Sequence, residues 1–283
     1  MKKSIVQIVN SQPVRMGDVI IGQPIPQGIL EEVNPFILLH HAEPKEISAH
    51  GPGFFVPPHP HRGFEPVTFV FQGEVEHKDS LGNESVIKGG GVQWITSGRG
   101  IIHSEGNPKS FIEKGGTMEI IQLWINLPAA LKMSPPNYQA FDKEEIPSIT
   151  QNQSEANIIS GTMNGQKGPI NSPTNITAIT ALIQQGGTSA ITLPENHNAL
   201  VYVLNGTGTV NGQNFSKQQL LQLSAEGKEL EIEATQSTKL LVLAGEPIDE
   251  KKSMWGPYVM NTQTEIMEAL RDYEQGKMGF LAG

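Results

Sequence analysis

Four side chains that bind transition metals stand in two short pairs along this chain. His59 and His61 are separated by one residue, and His103 and Glu105 repeat that spacing further along. Side chains alternate between the two faces of a β-strand, so each pair points to one face. Two such pairs on neighbouring strands offer three imidazole nitrogens and one carboxylate oxygen to a single ion. The spacing therefore predicts a site for one divalent transition metal.

The composition limits which metal chemistry is available. A lone His-x-His pair is more often a surface or core feature than a ligand pair, but two pairs in glycine- and proline-rich β context favour a metal. The chain has no cysteine, which excludes disulfides, thiolate catalysis and Cys-based zinc or iron–sulfur sites. Imidazole and carboxylate ligands favour iron, nickel, copper, zinc or manganese.

Length and charge set the broad class of protein. The 283 residues predict two domains, which we place at 1–145 and 146–283. The formal net charge of −9 disfavours direct nucleic-acid binding, because that binding draws on Lys and Arg contacts to phosphate. No signal peptide and no bilayer-length apolar stretch is visible. We therefore expect a cytoplasmic monomer without membrane contact.

The elements that must position the four side chains are short strands. Thirty glycines and twenty prolines punctuate short apolar runs, which is typical of a mostly β protein with many turns. Strands are predicted at 67–71, 74–78, 84–87, 92–95, 101–105 and 118–127. The tail predicts one amphipathic helix, which begins at the capping box Thr262-Gln263-Thr264-Glu265.

An internal repeat indicates that the chain contains two similar β units. The segment 68–75 resembles 201–208, since each is an apolar strand that ends in a polar-Gly turn. Aligning Gly206 on Gly73 places Thr192 and Pro194 where His59 and His61 stand. No histidine follows His197, so the second unit is predicted to hold no metal and to have a structural role.

These motifs resemble a known family. The spacing of Gly53, His59, His61 and Glu65 is similar to the first motif of the cupin superfamily. The blocks 59–65, 75–83, 92–105 and 256–261 resemble the pirin family over nearly the whole chain. The resemblance implies an all-β protein of two cupin barrels (double-stranded β-helices, or jelly rolls) with a short C-terminal helix. The N-terminal barrel, residues 1–145, would bind one metal ion.

The resemblance also implies an activity and an alternative to it. Several pirin-like proteins act on flavonols as quercetin 2,3-dioxygenases, with iron, a planar aromatic substrate and O₂. Eukaryotic members are described as nuclear transcription co-regulators. The alternative is therefore a non-enzymatic, redox-sensitive regulator that binds another protein, such as a transcription factor or a metabolic enzyme. A non-redox cupin, such as a sugar isomerase, is a third hypothesis.

The resemblance assigns His59, His61, His103 and Glu105 to the family's metal ligands. Iron is the expected metal, with nickel, copper, zinc, manganese or cobalt as alternatives. Glu105 is also the candidate catalytic residue, a base that leaves the metal briefly. Two departures from the general cupin pattern put Glu65 in doubt as a ligand: one extra residue before Gly73, and a second motif without its proline.

Several positions keep two interpretations. Glu65 is expected to pair with Arg62 or a backbone amide rather than bind metal. His77 faces either inward, as a residue supporting the ligands, or outward on an alternating strand. His40, His41 and His50 are expected to face solvent, with a wall of the metal cavity as the alternative.

Overall fold

A computed structural model describes residues 1–17 and 19–281 of the chain. Its elements up to the middle of the chain are β1 (Ile5–Asn10), β2 (Gln12–Met16), β3 (Val19–Ile25), β4 (Phe36–Ile47), β5 (Phe55–His61), β6 (Phe64–Gln72), β7 (Glu74–Asp79), β8 (Glu84–Lys88), β9 (Val92–Thr96), β10 (Ile101–Gly106), α1 (Lys109–Lys114), β11 (Gly116–Asn126) and β12 (Asn137–Phe141). Single 3₁₀ turns cover Ala129–Leu131 and Lys143–Glu145.

The remaining elements are again almost all strands. They are β13 (Ser148–Gln151), β14 (Ser154–Ser160), β15 (Thr162–Met163), β16 (Gln166–Lys167), β17 (Ile176–Ile183), β18 (Thr188–Thr192), β19 (Asn198–Asn205), β20 (Thr207–Val210), β21 (Gln213–Ser216), β22 (Gln219–Leu223), β23 (Glu229–Ala234), β24 (Thr238–Gly245), β25 (Ser253–Trp255), β26 (Tyr258–Met260) and α2 (Gln263–Glu274). The predicted all-β class with a short C-terminal helix is confirmed, and α1 is an addition that the sequence did not suggest.

The chain folds into two compact units that are not continuous in sequence. One, here called the histidine unit, contains Ala42–Lys143 and Ile248–Gly283. The other, here called the aliphatic unit, contains Met1–His41 and Glu144–Pro247. The structure thus departs from the predicted division into 1–145 and 146–283, although the chain passes from one unit to the other between Lys143 and Glu144, close to the predicted boundary. The N-terminal segment joins the unit built mainly from the second half of the chain, and the C-terminal segment joins the unit built mainly from the first half. The sequence pattern did not predict this exchange.

Strand pairing explains where the ends go. β1 pairs antiparallel with β22, and Ile8 lies opposite Leu221, which adds the N-terminal segment to the aliphatic unit. At the other end, Arg62 donates to Asp272 of α2 at 3.0 Å, and the Arg62 amide binds the Pro257 carbonyl. The C-terminal segment is thereby held beside the strands of the histidine unit.

Each unit has the same pair of sheets. In the histidine unit, a four-stranded sheet has the order β5-β10-β7-β8, and a larger sheet contains β12-β9-β6-β11-β4. In the aliphatic unit, a four-stranded sheet has the order β18-β23-β20-β21, and a larger sheet contains β1-β22-β19-β24-β17-β14-β13. Because the strand orders correspond, the internal repeat is a repeat of the whole unit.

The two glycines that revealed the repeat have the same conformation. Gly73 and Gly206 have φ of +86° and +95°, a region that favours glycine. A Cβ at Gly73 would collide with Met118, and a Cβ at Gly206 would collide with Thr238, on the corresponding strands β11 and β24. Both turns therefore need glycine for conformation and for space.

The predicted capping box is present at the start of α2. Thr262 accepts a hydrogen bond from the Glu265 amide, and the Glu265 carboxylate accepts one from the Thr262 amide at 2.8 Å. Ile266 and Ala269 are the buried residues of this helix. Within the described residues, none of the helices is long and apolar enough to span a membrane.

Replacing Thr262 with alanine is expected to lower the free energy of unfolding by about 1 kcal/mol, because one helix-terminal amide loses its acceptor. Chemical denaturation of the two proteins measures the difference. Thr264→Ala is the matched control, since Thr264 is the same residue type two positions further along the chain and is not the N-cap. Equal losses in the two variants would contradict a specific capping effect.

One of the three histidines expected in solvent is buried. His41 is 0% exposed, and its Nδ1 lies 3.0 Å from the hydroxyl of Tyr202. Both residues belong to the aliphatic unit. The prediction that His41 faces solvent was wrong, because strand β4 is buried in that unit at this position. His40 is half-buried with Nε2 at 2.7 Å from Gln23 Oε1, whereas His50 is exposed.

Candidate metal centre

Three of the four predicted ligands converge at the pairing of β5 with β10. His59 lies directly opposite His103, and His61 lies opposite Ile101. One ring nitrogen from each of His59, His61 and His103 falls in a group whose members are all within 4.8 Å of one another. The ring centroids of His59 and His103 are 4.4 Å apart. The alternation of side chains on the two strands thus brings the three imidazoles to one point.

The protonation of these rings suits metal binding. Burial lowers the pKa of His61 well below its usual value, assisted by the neighbouring His59 and opposed weakly by the Pro257 carbonyl. Burial also lowers the pKa of His103 well below its usual value, assisted by His61 and His59. Both rings are therefore neutral at physiological pH, which is the form that binds a metal ion.

A backbone contact fixes the tautomer of His59. Its Nδ1 lies 2.8 Å from the carbonyl oxygen of Pro57. A carbonyl oxygen only accepts, so the proton is on Nδ1 and the lone pair is on Nε2. Hydrogen bonds of this kind commonly orient histidines that bind metals. The proline-rich approach to β5 therefore prepares Nε2 of His59 as a ligand.

The fourth predicted ligand, Glu105, lies on the other side of His103. A β-bulge follows His103 in the pairing with β5 and changes the register before Glu105. Glu105 Oε1 accepts hydrogen bonds from Thr68 Oγ1 at 3.0 Å and from Gln93 Nε2. Its Oε2 accepts one from Gln122 Nε2 at 3.3 Å. The carboxylate is thus anchored mainly through Oε1.

Glu105 belongs to a second group of potential ligands that shares His103 with the first. In this group, ligand atoms of His77, His103 and Glu105 are all within 4.8 Å of one another. Burial raises the pKa of Glu105, and the nearby His77 and the donors Thr68 and Gln93 oppose this rise. The structure therefore brings the four predicted ligands together as two overlapping groups, not as one closed set.

His77 faces the interior, which selects one of its two interpretations. It is 0% exposed and lies opposite Glu105 across the β7–β10 pairing. Its Nε2 is 3.0 Å from Asp79 Oδ2, and its ring stacks on Tyr138 with centroids 4.1 Å apart and planes at 7°. Burial alone would raise the pKa of Asp79, but hydrogen bonds from His77, Asn83 and Leu81 lower it overall.

Glu65 lies outside both groups found among the described residues. It is 0% exposed and accepts a hydrogen bond from Thr96 Oγ1 at 2.7 Å. Arg62, one of its expected partners, donates instead to Asp272 and to the Arg99 carbonyl. The position of Glu65 favours a structural role in the sheet.

The residues present fit a bound metal ion. Among the described residues, neither ring nitrogen of His103 has a hydrogen-bond partner, and the contact of His61 with the Pro257 carbonyl falls short of hydrogen-bond geometry. Leaving a buried polar atom unpaired costs about 1–3 kcal/mol, and one metal ion would supply a partner for one nitrogen of each ring. Three neutral imidazoles and one carboxylate would give a divalent ion a net charge of +1.

The aliphatic unit carries apolar side chains at the corresponding positions. His77 lies four residues after Gly73, and Val210 lies four residues after Gly206, so these two positions correspond. Glu105 lies opposite His77 and Ile232 lies opposite Val210, so Glu105 corresponds to Ile232. By the same ladders, His103, His59 and His61 correspond to Leu230, Ile191 and Leu193, since Leu230 lies opposite Ile191. All five are buried in one hydrophobic core.

This register corrects the alignment made from the sequence. Thr192 and Pro194 do not occupy the positions of His59 and His61; Ile191 and Leu193 do. The segment between β18 and the glycine turn is one residue longer than its counterpart, and a shift of one residue exchanges the two faces of a strand. The aliphatic unit has a packed hydrophobic core at the positions where the histidine unit has its polar side chains.

Sequence reasoning overlooked the residues that hold the ligands in place. Thr68, Gln93 and Gln122 come from three different strands of the larger sheet, and no spacing links them to Glu105. His77 and Asp79 are separated by one residue, as are the two members of each ligand pair. A third pair with this spacing was therefore visible in the sequence. Tyr138 lies on strand β12, outside the strands predicted from the sequence.

Comparison with known proteins identifies the family. Residues 18–125 match the family described as Pirin, and residues 178–279 match the Pirin C-terminal cupin domain. A Pseudomonas aeruginosa protein provisionally named a quercetin 2,3-dioxygenase is 39% identical over 87% of this chain and 87% of its own length. Pirin-1 of Arabidopsis thaliana is 37% identical over 88% of this chain and 84% of its own.

Solved structures show the same architecture. A crystal structure of quercetin 2,3-dioxygenase from Acinetobacter baumannii superposes with a TM-score of 0.92 at 36% identity and covers 100% of both chains. The bacterial pirin YhhW from Escherichia coli, solved in complex with nickel(II), has the same fold, with a TM-score of 0.66 at 20% identity. With both domains matched and the fold shared over its full length, the chain belongs to the pirin family and consists of two cupin domains.

Proposed function

We propose that this protein is an iron-dependent dioxygenase that cleaves a flavonol such as quercetin. The observation that carries the proposal is the group formed by His59, His61 and His103, in which His61 and His103 are buried and neutral, with the carboxylate of Glu105 beside it. The likeness at 36% identity to a structure described as a quercetin 2,3-dioxygenase supports the choice of substrate.

His59, His61, His103 and Glu105 are the residues that would hold the ion. When bound, iron supplies Lewis acidity towards an anionic substrate oxygen and a redox couple for reaction with O₂. His59 contributes Nε2, since its Nδ1 is occupied by the Pro57 carbonyl. The net positive charge of the loaded site would attract a deprotonated substrate hydroxyl.

Glu105 is the group best placed to accept the proton of that hydroxyl. Its Oε1 is engaged by Thr68 and Gln93, whereas Oε2 has one long contact with Gln122. Burial raises the pKa of Glu105, which moves a carboxylate towards the range in which a base works near neutral pH. Oε2 is therefore the atom to which we assign the proton.

Purified protein loaded anaerobically with Fe²⁺ tests the proposal. Addition of quercetin and then O₂ is expected to consume quercetin and release carbon monoxide, and Glu105→Gln is expected to lower the rate by 100-fold or more, within the range of about 10²–10⁴ for general base catalysis. Parallel loading with Ni²⁺, Co²⁺, Mn²⁺, Cu²⁺ and Zn²⁺ identifies the metals that support turnover.

The negative outcomes of this assay are also informative. Iron-loaded protein that consumes no quercetin in O₂ would contradict flavonol cleavage and would favour the non-enzymatic regulator. Full activity with Zn²⁺, which has no accessible redox change, would contradict a redox role of the metal.

A further inference from the structure

His77 has a ring nitrogen that the described structure leaves unused. Nε2 is engaged by Asp79 at 3.0 Å, and among the described residues Nδ1 has no hydrogen-bond partner although it is fully buried. Buried polar atoms are paired in the great majority of cases. The ring also lies in the group with His103 and Glu105, so the unused atom belongs to the surroundings of the metal centre.

Asp79 determines what this nitrogen can do. In the neutral ring, this hydrogen bond places the proton on Nε2 and the lone pair on Nδ1, because a carboxylate only accepts. Asp79 is itself held by the amides of Leu81 and Asn83 at 2.8 and 3.0 Å and by the Asn83 side chain at 2.8 Å. The stack on Tyr138 limits rotation of the ring. Nδ1 is therefore a fixed hydrogen-bond acceptor.

We propose that Nδ1 of His77 accepts a hydrogen bond from a hydroxyl group of the ligand that binds the metal beside Glu105. The preferred ligand class is an aromatic or enolic molecule with two neighbouring oxygens, one on the metal and one still carrying its proton. His77 would thus select among hydroxylated ligands, and Asp79 would act as the residue that positions it. The inference rests on the proposed metal site but does not require oxygenase activity.

The geometry argues against two other roles for His77. It is absent from the group formed by His59, His61 and His103, which argues against a fourth imidazole ligand at that point. In the neutral ring, the one proton is directed at Asp79, so Nδ1 does not donate a hydrogen bond towards the centre. Acceptance from a ligand hydroxyl is the interaction left to it.

Zinc-loaded protein and 4-nitrocatechol provide the test, since zinc is redox-silent and the probe absorbs visible light. Binding is measured by absorbance titration for wild type, His77→Phe and Asp79→Asn. Phenylalanine keeps a ring on Tyr138 without nitrogens, and asparagine presents an amide that can donate to Nε2 and thereby move the proton to Nδ1. Each variant is expected to weaken binding about tenfold, the effect of one buried hydrogen bond, with one zinc per chain retained.

Two controls separate selectivity from damage to the fold. His197→Ala changes a half-buried histidine of the aliphatic unit, and should bind 4-nitrocatechol as wild type does. The probe 4-nitroguaiacol, in which one hydroxyl is methylated, should bind wild type and His77→Phe equally.

The possible results are distinguishable. Equal affinity of wild type, His77→Phe and Asp79→Asn for 4-nitrocatechol would overturn the inference. Loss of zinc in His77→Phe would overturn it in favour of direct ligation by His77. Wild type that binds no zinc and no iron would contradict the proposed metal site itself.

Discussion

Replacing His103 with alanine is expected to abolish metal binding under conditions in which the wild type binds one ion per chain. His103 is the residue shared by both groups of potential ligands, and it is 0% exposed with a neutral ring. Its loss removes one ligand and separates Glu105 from the remaining imidazoles. Substitution of a residue that only supports a ligand lowers metal affinity about 10–100-fold. Loss of the ligand shared by both groups should therefore lower it at least about 100-fold.

Metal analysis after loading with Fe²⁺ and gel filtration measures this effect, and calorimetry gives the affinity. His197→Ala is the matched control, because His197 is a half-buried histidine of the aliphatic unit. The control should retain one ion per chain. Wild-type metal content in His103→Ala would show that the ion is held elsewhere.

Replacing Lys132 with methionine is expected to destabilise the histidine unit by about 3 kcal/mol or more, because three buried acceptors lose their donor and each unpaired acceptor costs about 1–3 kcal/mol. Lys132 is 1% exposed. Its Nζ donates to the carbonyl oxygens of Gly63 and Val259 at 2.8 and 2.9 Å and to Asn126 Oδ1 at 2.6 Å. Methionine preserves the packing but leaves three buried acceptors without this donor.

This lysine ties the C-terminal segment to the strands that carry the ligands. Gly63 lies two residues after His61, Asn126 ends β11, and Val259 lies in β26. A change at Lys132 should therefore also lower the metal affinity, since the turn after His61 loses its anchor. Calorimetric unfolding measures the stability, and the exposed Lys45→Met is the control for removal of a positive charge. Equal melting of Lys132→Met and wild type would refute the role given to the three hydrogen bonds.

The same residue predicts a pH dependence. Burial lowers the pKa of Lys132 to about 7, against the raising influence of Glu250 and Glu265. In the unfolded chain the amine stays protonated up to about pH 10.4, so between these values the unfolded state binds more protons and stability rises with pH. From pH 6 to pH 9, wild type should gain about 2 kcal/mol relative to Lys132→Met, measured by denaturation at each pH. A constant difference would show that the amine stays charged in the fold.

Several features followed from the sequence because they depend on local rules. The spacing of His59, His61, His103 and Glu105 reflects the two-residue period of a strand, which acts within a few residues. The capping box at Thr262 and the glycine turns at Gly73 and Gly206 are likewise set by nearby backbone geometry. These features were predicted at the positions where the structure has them.

Other features depend on which strands become neighbours, and local patterns do not determine that. The donors around Glu105 come from distant strands, and the stack of His77 on Tyr138 joins strands β7 and β12, which are far apart in sequence. The division of the chain into units also depended on long-range pairing, since β1 finds its partner in β22.

The sequence by itself determined that His59, His61, His103 and Glu105 lie as two alternating pairs on short strands, and in which half of the repeat they lie. Only the tertiary structure decided that Glu105 groups with His77 through His103, and that Ile191 and Leu193 are the counterparts of His59 and His61. The physical reason is register: a bulge or one extra loop residue exchanges the faces of a strand, and only the completed ladder of hydrogen bonds fixes which face points inward.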